Sequence, residues 1–152
     1  MSTYHFQYCQ KIIVFSKDMK KVLLCKRKGE ADYDGVFSFI GGKLETTDSS
    51  IFEGLRREKE EEIGKNCKIR VYPGFSLNLL FRKKDGNAMI LPHYLAVYAN
   101  GEIILNEEYS EHKWVPLAKL KSFEPKIPNI PQTVKEILRL KKVAKANEFI
   151  LI

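Results

Sequence analysis

The residues best suited to chemistry are three glutamates, Glu58, Glu61 and Glu62, in one predicted helix. Glu61 and Glu62 follow Glu58 by three and four positions, so all three are expected on one helical face. Exposed like charges at this spacing repel by only about 0.2–0.5 kcal/mol per pair. In a partly dry pocket, a pair about 4 Å apart repels by about 4 kcal/mol at an effective dielectric near 20, and a cation or a proton becomes necessary. Hard carboxylate oxygens select Mg²⁺ or Mn²⁺.

The residues around the glutamates decide between metal binding and a solvated helix face, which is the commoner role of such an acidic run. Gly41 and Gly42 precede the helix, Arg57 adjoins the first glutamate, and Gly64 follows the last one. We interpret Gly41 and Gly42 as a tight loop, because glycine gives the backbone unusual freedom.

The stretch over residues 41–64 resembles the Nudix box, whose pattern is G, five residues, E, seven residues, then R-E-U-x-E-E-x-G-U with U aliphatic. The second half of the pattern is intact, and its R, E, E, E and G positions hold Arg57, Glu58, Glu61, Glu62 and Gly64. The first half departs from it: one residue is inserted after Gly42, Ser49 stands at the loop glutamate position, and the proline before the glycines is absent. Asp48 is a substitute for that loop glutamate.

Two further departures are lysines at aliphatic positions. Lys59 and Lys65 occupy the U positions after Glu58 and Gly64. A lysine stem can cover apolar surface while its ammonium group reaches water, so we expect both ammonium groups to be solvated.

The resemblance, which covers residues 11–120 loosely, implies metal ligands and an orienting arginine. In this family divalent cations bridge the glutamates to a diphosphate. Glu58 and Glu62 are the predicted ligands, Glu61 a third ligand or the general base, and the Gly42 carbonyl an additional ligand. Arg57 is expected to orient Glu58 through an ion pair; a salt bridge from Arg57 to Asp48 that closes the loop is the structural alternative, and the two can coexist.

The resemblance also suggests residues that contact the substrate. Arg27, at the end of an early strand, and Lys43 are the predicted phosphate contacts, although a basic residue at a strand end is more often simply solvated. Glu111 lies in a predicted loop from which family members draw a base-like carboxylate, and Glu107 and Glu108 compete for that role. Trp114 is expected to fill the core.

The predicted elements form a mixed-sheet α/β fold, and by resemblance an α/β/α sandwich. Apolar runs predict strands, a hairpin among them, at residues 11–16, 21–28, 68–72, 75–83, 88–99 and 101–105. Residues 51–63 form a helix with Ser50 and Glu53 as its capping box and Gly64 as its left-handed end residue. Residues 133–146 form a second, amphipathic helix after a proline-rich connection. The apolar residues 149–152 are either an edge strand or a contact in a homodimer.

Length and composition restrict the class of protein. A chain of 152 residues suits one domain, predicted over residues 1–152. Its 26 basic and 19 acidic residues give a net charge of +7, which favours phosphorylated partners and allows nucleic acid without favouring it. Three cysteines without a CxxC pair indicate a reducing compartment. The sequence carries no predicted signal or membrane segment, so we expect a soluble, cytoplasmic protein.

The resemblance to the Nudix family implies a Mg²⁺-dependent pyrophosphohydrolase, with Mn²⁺ as a substitute, that cleaves a nucleoside diphosphate linked to another group. A hydrolase of capped or 5′-triphosphorylated RNA is an alternative within the same class. A Nudix-fold nucleotide-binding or interaction module with little turnover is an alternative of another class. An unrelated basic nucleic-acid binder would require the box spacing to be accidental.

Overall fold

A computed structural model describes residues 5–152 and contains two α-helices, two single-turn 3₁₀ helices (Leu117–Lys119 and Ala146–Glu148) and nine strands within that range. The α-helices are α1 (Ile51–Ile63) and α2 (Ile130–Lys141). The strands are β1 (Phe6–Phe15), β2 (Lys21–Arg27), β3 (Phe37–Ser38), β4 (Ile40–Lys43), β5 (Lys68–Val71), β6 (Leu77–Arg82), β7 (Ala88–Asn100), β8 (Tyr109–Pro116) and β9 (Ile150–Leu151). Within the described range no helix is long and apolar enough to cross a membrane.

The strands form one mixed sheet around a parallel pair. β1 and β7 run parallel over their length, with Phe6 opposite Ala88 and Phe15 opposite Val97. The sheet order is β3-β2-β1-β7-β5-β9, and β4, β6 and β8 pair with β1, β7 and β2 respectively. β4 and β2 therefore lie along the same edge of β1. β4 pairs with the earlier part of β1, and β2 pairs with its end.

Helices cover both faces of the sheet. Side chains alternate along a strand, so neighbouring residues of β1 enter different cores. Ile12 packs in a cluster that includes Leu55 of α1, whereas Ile13 packs in a second cluster that includes Ile137 of α2. All four side chains are fully buried. The predicted mixed-sheet α/β sandwich is confirmed.

Several predicted elements are confirmed. Helix α1 has the predicted bounds, and the Ser50 hydroxyl accepts a hydrogen bond from the Glu53 N–H at 3.1 Å. The β1–β2 and β6–β7 pairs are antiparallel, as expected from the hairpin patterns. The chain end forms β9, which pairs with β5, so the edge-strand interpretation of residues 149–152 is confirmed. All three cysteines are free and buried.

Two strand and loop predictions are wrong. Gly41 and Gly42 form part of β4 instead of a tight loop, because their backbone pairs with β1. Residues 101–105 are not a strand. They leave β7 through Gly101, whose φ is +93°, and the Ile104 N–H donates to the Ile63 carbonyl at the end of α1. The apolar pattern of this segment reflects packing over that helix end.

The helix predictions need three corrections. Gly64 has φ +98° and ψ 151°, so it has a positive φ but lies outside the left-handed helical region. Helix α2 begins at Ile130 because Pro131 fits the first helical turn, and it ends before residue 143. The apolar residues at helical spacing in α1 predict a buried face that includes Ile51, Leu55 and Ile63, but Ile51 is 50% exposed because it begins the helix.

Candidate active site

Strand β4 lies directly against the glutamates of α1. The Gly41 N–H donates to Glu62 Oε1 at 2.8 Å. A Cβ atom on Gly42 would lie 2.1 Å from Glu58 Oε2, so only glycine allows this strand and the Glu58 carboxylate to approach so closely. The two glycines serve this approach of backbone to carboxylate.

The three glutamates differ in their surroundings. Glu58 and Glu62 are 7% and 1% exposed, whereas the Glu61 side chain is 53% exposed. The three predicted site glutamates therefore have different environments. Residues four positions apart lie on the same side of a helix, and Glu58 and Glu62 both face the sheet from α1.

Arg57 connects the loop before α1 to Glu58. Its guanidinium makes a two-point contact with Asp48, from Nε to Oδ1 at 2.8 Å and from Nη2 to Oδ2 at 2.9 Å. Nη1 donates to Glu58 Oε1 at 2.8 Å and lies 3.3 Å from Glu61. Hydrogen bonds from Arg57 lower the pKa of Asp48 to about 2. Both contacts considered for Arg57 are thus present together, and Asp48 holds the arginine in place.

Glu62 is the most deeply buried of the acids. Burial raises its pKa to about 8, and Lys11, the Tyr109 hydroxyl and the Gly41 N–H oppose that rise. Its Oε1 accepts from Tyr109 at 2.6 Å as well as from Gly41. Within residues 5–152 its Oε2 is buried without a hydrogen-bond partner. Burial also raises the pKa of Glu58, against the opposing effect of Arg57.

The donor set fits a hard divalent cation, although the carboxylates are not gathered around one point. Among residues 5–152, no three His, Cys, Asp or Glu side chains stand close enough together to hold a metal ion. Arg57 donates to Oε1 of Glu58, and Tyr109 and Gly41 donate to Oε1 of Glu62. The buried Glu62 Oε2 keeps free lone pairs, and carboxylate oxygens are the ligands preferred by Mg²⁺ and Mn²⁺.

A cavity of about 570 Å³ opens beside these residues. Of the predicted site residues, it is lined by Arg27, Gly42, Lys43, Glu58 and Glu61. Glu62 does not line the cavity, but its hydrogen-bond partners Gly41 and Tyr109 do. The remaining wall mixes polar and charged side chains with apolar and aromatic ones, and the latter include Tyr33, Phe39, Leu79, Phe81, Met89, Leu91, Ile127 and Ile130.

Arg27 reaches the cavity with incomplete hydrogen bonding. Its Nη2 donates to the Asp32 carbonyl at 3.2 Å and lies 3.5 Å from Glu30. Among the described residues its buried Nε has no partner. Lys43 is exposed at the end of β4, and its carbonyl accepts from Arg57.

Glu111 is not brought to the cavity. It lies on β8 instead of in a loop, is exposed, and sits 3.9 Å from the Lys26 ammonium. Glu108 lines the cavity in its place. Trp114 is half-buried and packs on the cluster that contains Ile12 and Leu55, called here the α1-side core; the cluster with Ile13 and Ile137 is the α2-side core. The centre of the Trp114 ring lies 5.6 Å from that of Tyr98, in an edge-on arrangement. Trp114 also lines a second, more open cavity of about 610 Å³, which is not lined by Glu58, Glu61 or Glu62.

Lys59 is placed differently from the expectation. Its side chain is fully buried, and its ammonium donates to the Cys67 carbonyl at 3.0 Å and to the Gly64 carbonyl at 3.3 Å. Lys65 is exposed, as expected. The ammonium of Lys59 therefore stabilises the chain that leaves α1 instead of reaching water.

Sequence spacing could not reveal Tyr109 or Lys11. Tyr109 is separated from Glu62 by 47 positions, and only the pairing of β8 with β2 brings it close to α1. Lys11 acts on Glu62 from β1, which lies between β4 and β7.

Comparison with known proteins agrees with this geometry. The family model described as the NUDIX domain matches residues 7–139. The chain belongs to the NUDIX domain family. A nucleoside triphosphatase, NudI, from Klebsiella pneumoniae is 31% identical over 110 residues, which cover 67% of this chain and 77% of the relative. This Nudix chain is a hydrolase that acts on phosphoric anhydride bonds.

Solved Nudix structures share the fold. The MutT protein of Methanosarcina mazei superposes with a TM-score of 0.73 at 20% identity, over 93% of this chain and 99% of that one. The NUDIX domain of Shewanella oneidensis NrtR, in complex with ADP ribose, gives 0.70 at 20% identity, over 91% and 90% of the two chains. Nudix hydrolases generally use divalent metal ions.

Proposed function

We propose that this Nudix hydrolase is a Mg²⁺-dependent pyrophosphohydrolase that cleaves the diphosphate of a nucleotide or nucleotide derivative. One observation carries the proposal: Glu58, fixed by Arg57 and pressed against Gly42, stands with Glu61 on the wall of a cavity that also presents Arg27 and Lys43. Acidic and basic groups on one cavity suit a substrate whose phosphates need both a cation and direct positive contacts.

Each residue has a defined task in this proposal. Glu58 and Glu62 hold the cation with the Gly42 carbonyl, and Glu61 serves as a third ligand or as the base that takes a proton from water. A divalent cation at such a site neutralises phosphate charge and lowers the pKa of bound water. Arg57 keeps the Glu58 carboxylate oriented, since a two-point contact to Asp48 fixes the guanidinium plane.

Arg27 and Lys43 are the proposed phosphate contacts. The buried, unpaired Nε that Arg27 shows among the described residues supports this, because an anion would satisfy it. Glu111 has no part in the proposal, since it does not line the cavity. Glu108 lines it and is the carboxylate of that segment positioned to act there.

Nucleoside triphosphates are the first substrates to test, because the Klebsiella relative is named a nucleoside triphosphatase. The Shewanella structure holds ADP ribose, so nucleotide sugars follow. A homodimer and a cytoplasmic location stay predictions; the three free cysteines support a reducing compartment.

The test is a substrate panel with Mg²⁺ that contains nucleoside triphosphates, nucleotide sugars, dinucleoside polyphosphates and 5′-triphosphorylated RNA. We expect hydrolysis of at least one free nucleotide, and a loss of about 100-fold or more in kcat for Glu62→Gln. Glu53→Gln is the matched control, because Glu53 lies on the same helix, exposed and paired with Arg56.

Other outcomes favour other functions. Faster cleavage of the RNA than of any free nucleotide would indicate an RNA hydrolase. Calorimetric nucleotide binding without turnover of any panel member would indicate a binding module. An unchanged rate for Glu62→Gln would remove the assigned metal site.

A further inference from the structure

Tyr109 is a buried tyrosine whose hydroxyl group contacts one of the proposed metal ligands. It begins β8, is 5% exposed, and packs in the α1-side core. Its hydroxyl lies 2.6 Å from Glu62 Oε1. A carboxylate that binds a cation is ionised and can only accept hydrogen bonds, so in that state the tyrosine is the donor.

The two oxygens of Glu62 have unequal surroundings. Oε1 accepts from both Tyr109 and the Gly41 N–H, the latter at 2.8 Å, and these two donors use its two lone-pair directions. Oε2 is buried and, within the described residues, has no hydrogen-bond partner. Such an oxygen is costly to leave unsatisfied, by about 1–3 kcal/mol or more when charged. A cation on Oε2 would remove that cost.

The two donors come from different parts of the chain and fix the carboxylate from two sides. Gly41 belongs to β4 and cannot reorient, since its backbone pairs with Lys11 of β1. Tyr109 is held by β8, which pairs with β2. Two anchored donors on one oxygen restrict rotation of the carboxylate about its terminal torsion, which is otherwise broad.

We propose that Tyr109 is a positioning residue that, together with the Gly41 N–H, holds Glu62 Oε1 so that Glu62 offers a divalent cation Oε2 alone. This inference rests on the proposed function, because it needs Glu62 to be a ligand. Groups that orient a ligand typically change metal affinity by about 10–100-fold when they are removed. Tyr109 lies outside the Nudix box, so the groups that orient the ligands extend beyond that motif.

The experiment measures Mn²⁺ alone, without substrate, from the electron paramagnetic resonance signal of the free ion. The variants are Tyr109→Phe, Glu62→Gln and the double variant. The control is Tyr72→Phe, because Tyr72 is 7% exposed, packs in the α2-side core, and donates from its hydroxyl to the exposed Glu148 at 3.1 Å, away from the three glutamates. Circular dichroism and thermal unfolding without metal verify the fold of each variant.

We expect Tyr109→Phe to weaken Mn²⁺ binding by about tenfold or more and Tyr72→Phe to leave it unchanged. If the hydroxyl acts through Glu62, Tyr109→Phe has no further effect in the Glu62→Gln background. A general loss of packing would instead weaken Mn²⁺ binding by the same factor in both backgrounds, so the double variant separates the two explanations.

The possible failures are distinguishable. Wild-type affinity in Tyr109→Phe, while Glu62→Gln binds weakly, would overturn this inference and leave the proposed function standing. Additive effects of the two substitutions would also overturn it. Wild-type affinity in Glu62→Gln would overturn both the metal site and this inference. A Tyr109→Phe protein too unstable to measure is replaced by 3-fluorotyrosine at position 109, whose stronger donor must change the Mn²⁺ affinity if the proposal holds.

Discussion

The adjacent glycines of β4 give the sharpest prediction, because alanine at each position should fail for a different reason. Gly41 has φ +137°, which residues with side chains rarely adopt, and its Cβ would lie 2.0 Å from the Gln10 carbonyl oxygen of β1. Neither backbone can move without breaking the β1–β4 pairing. Backbone strain and overpacking each cost about 1–3 kcal/mol, so Gly41→Ala should lower the free energy of unfolding by about 2–6 kcal/mol.

Gly42→Ala should instead spare the fold and damage the site. Its φ is not in the region that favours glycine, and the new Cβ would lie 2.1 Å from Glu58 Oε2, which is the end of a side chain. An ordinary carbon–oxygen contact requires the carboxylate to move by about 1 Å. We expect the free energy of unfolding to change by about 1 kcal/mol or less, and kcat/KM to fall by about 100-fold.

The two variants are compared by urea unfolding and by kcat/KM per folded molecule with the best substrate of the panel. Mn²⁺ affinity of Gly42→Ala gives an independent measure of the displaced carboxylate. Wild-type kcat/KM and Mn²⁺ affinity in Gly42→Ala would contradict the close approach of Glu58 to β4. A Gly41→Ala protein as stable as the wild type would contradict the fixed backbone contact with Gln10.

Two further predictions concern buried basic groups. Lys59→Met should lower the free energy of unfolding, measured in urea, by about 1–3 kcal/mol, because the Gly64 and Cys67 carbonyls lose their donor. A variant as stable as the wild type would show that the buried ammonium group makes no net contribution to stability. His93 should make the protein less stable as pH falls: burial and Lys11 lower its pKa from 6.5 to about 4, so the unfolded chain binds the proton first. Its contribution, about 3 kcal/mol, is present above pH 6.5 and lost as pH falls towards 4, and His93→Gln should remove that part of the pH dependence of unfolding.

The sequence predicts the elements with local signals and misplaces those decided by distant contacts. Helix α1 is predicted to the residue, because Ser50, Glu53 and the apolar spacing act within one segment. Gly41 and Gly42 look like a loop from their composition, since no local feature shows that β1 lies alongside. Residues 101–105 look like a strand because several of them are apolar. In the structure, Ile103 and Leu105 pack on the core beside α1 instead of pairing with another strand.

The same limit applies to the site. The motif places Gly42, Glu58 and Glu61 at one cavity and Arg57 against Glu58, because their spacing is fixed by a helix and the strand before it. It does not separate the exposed Glu61 from the buried Glu62, since that depends on the angle at which α1 meets the sheet. Glu111 is chosen over Glu108 because the start of β8 cannot be located from composition.

The parallel pairing of β1 with β7 also bears on how the chain is made. Phe6 cannot meet Ala88, nor Phe15 Val97, until β7 has left the ribosome. At the usual 5–20 residues per second, β1 therefore waits on the order of 4–20 seconds for its central neighbour. During synthesis its fully apolar run from Ile12 to Phe15 stays exposed on one edge, which makes the nascent chain a natural client for chaperones that bind short hydrophobic segments.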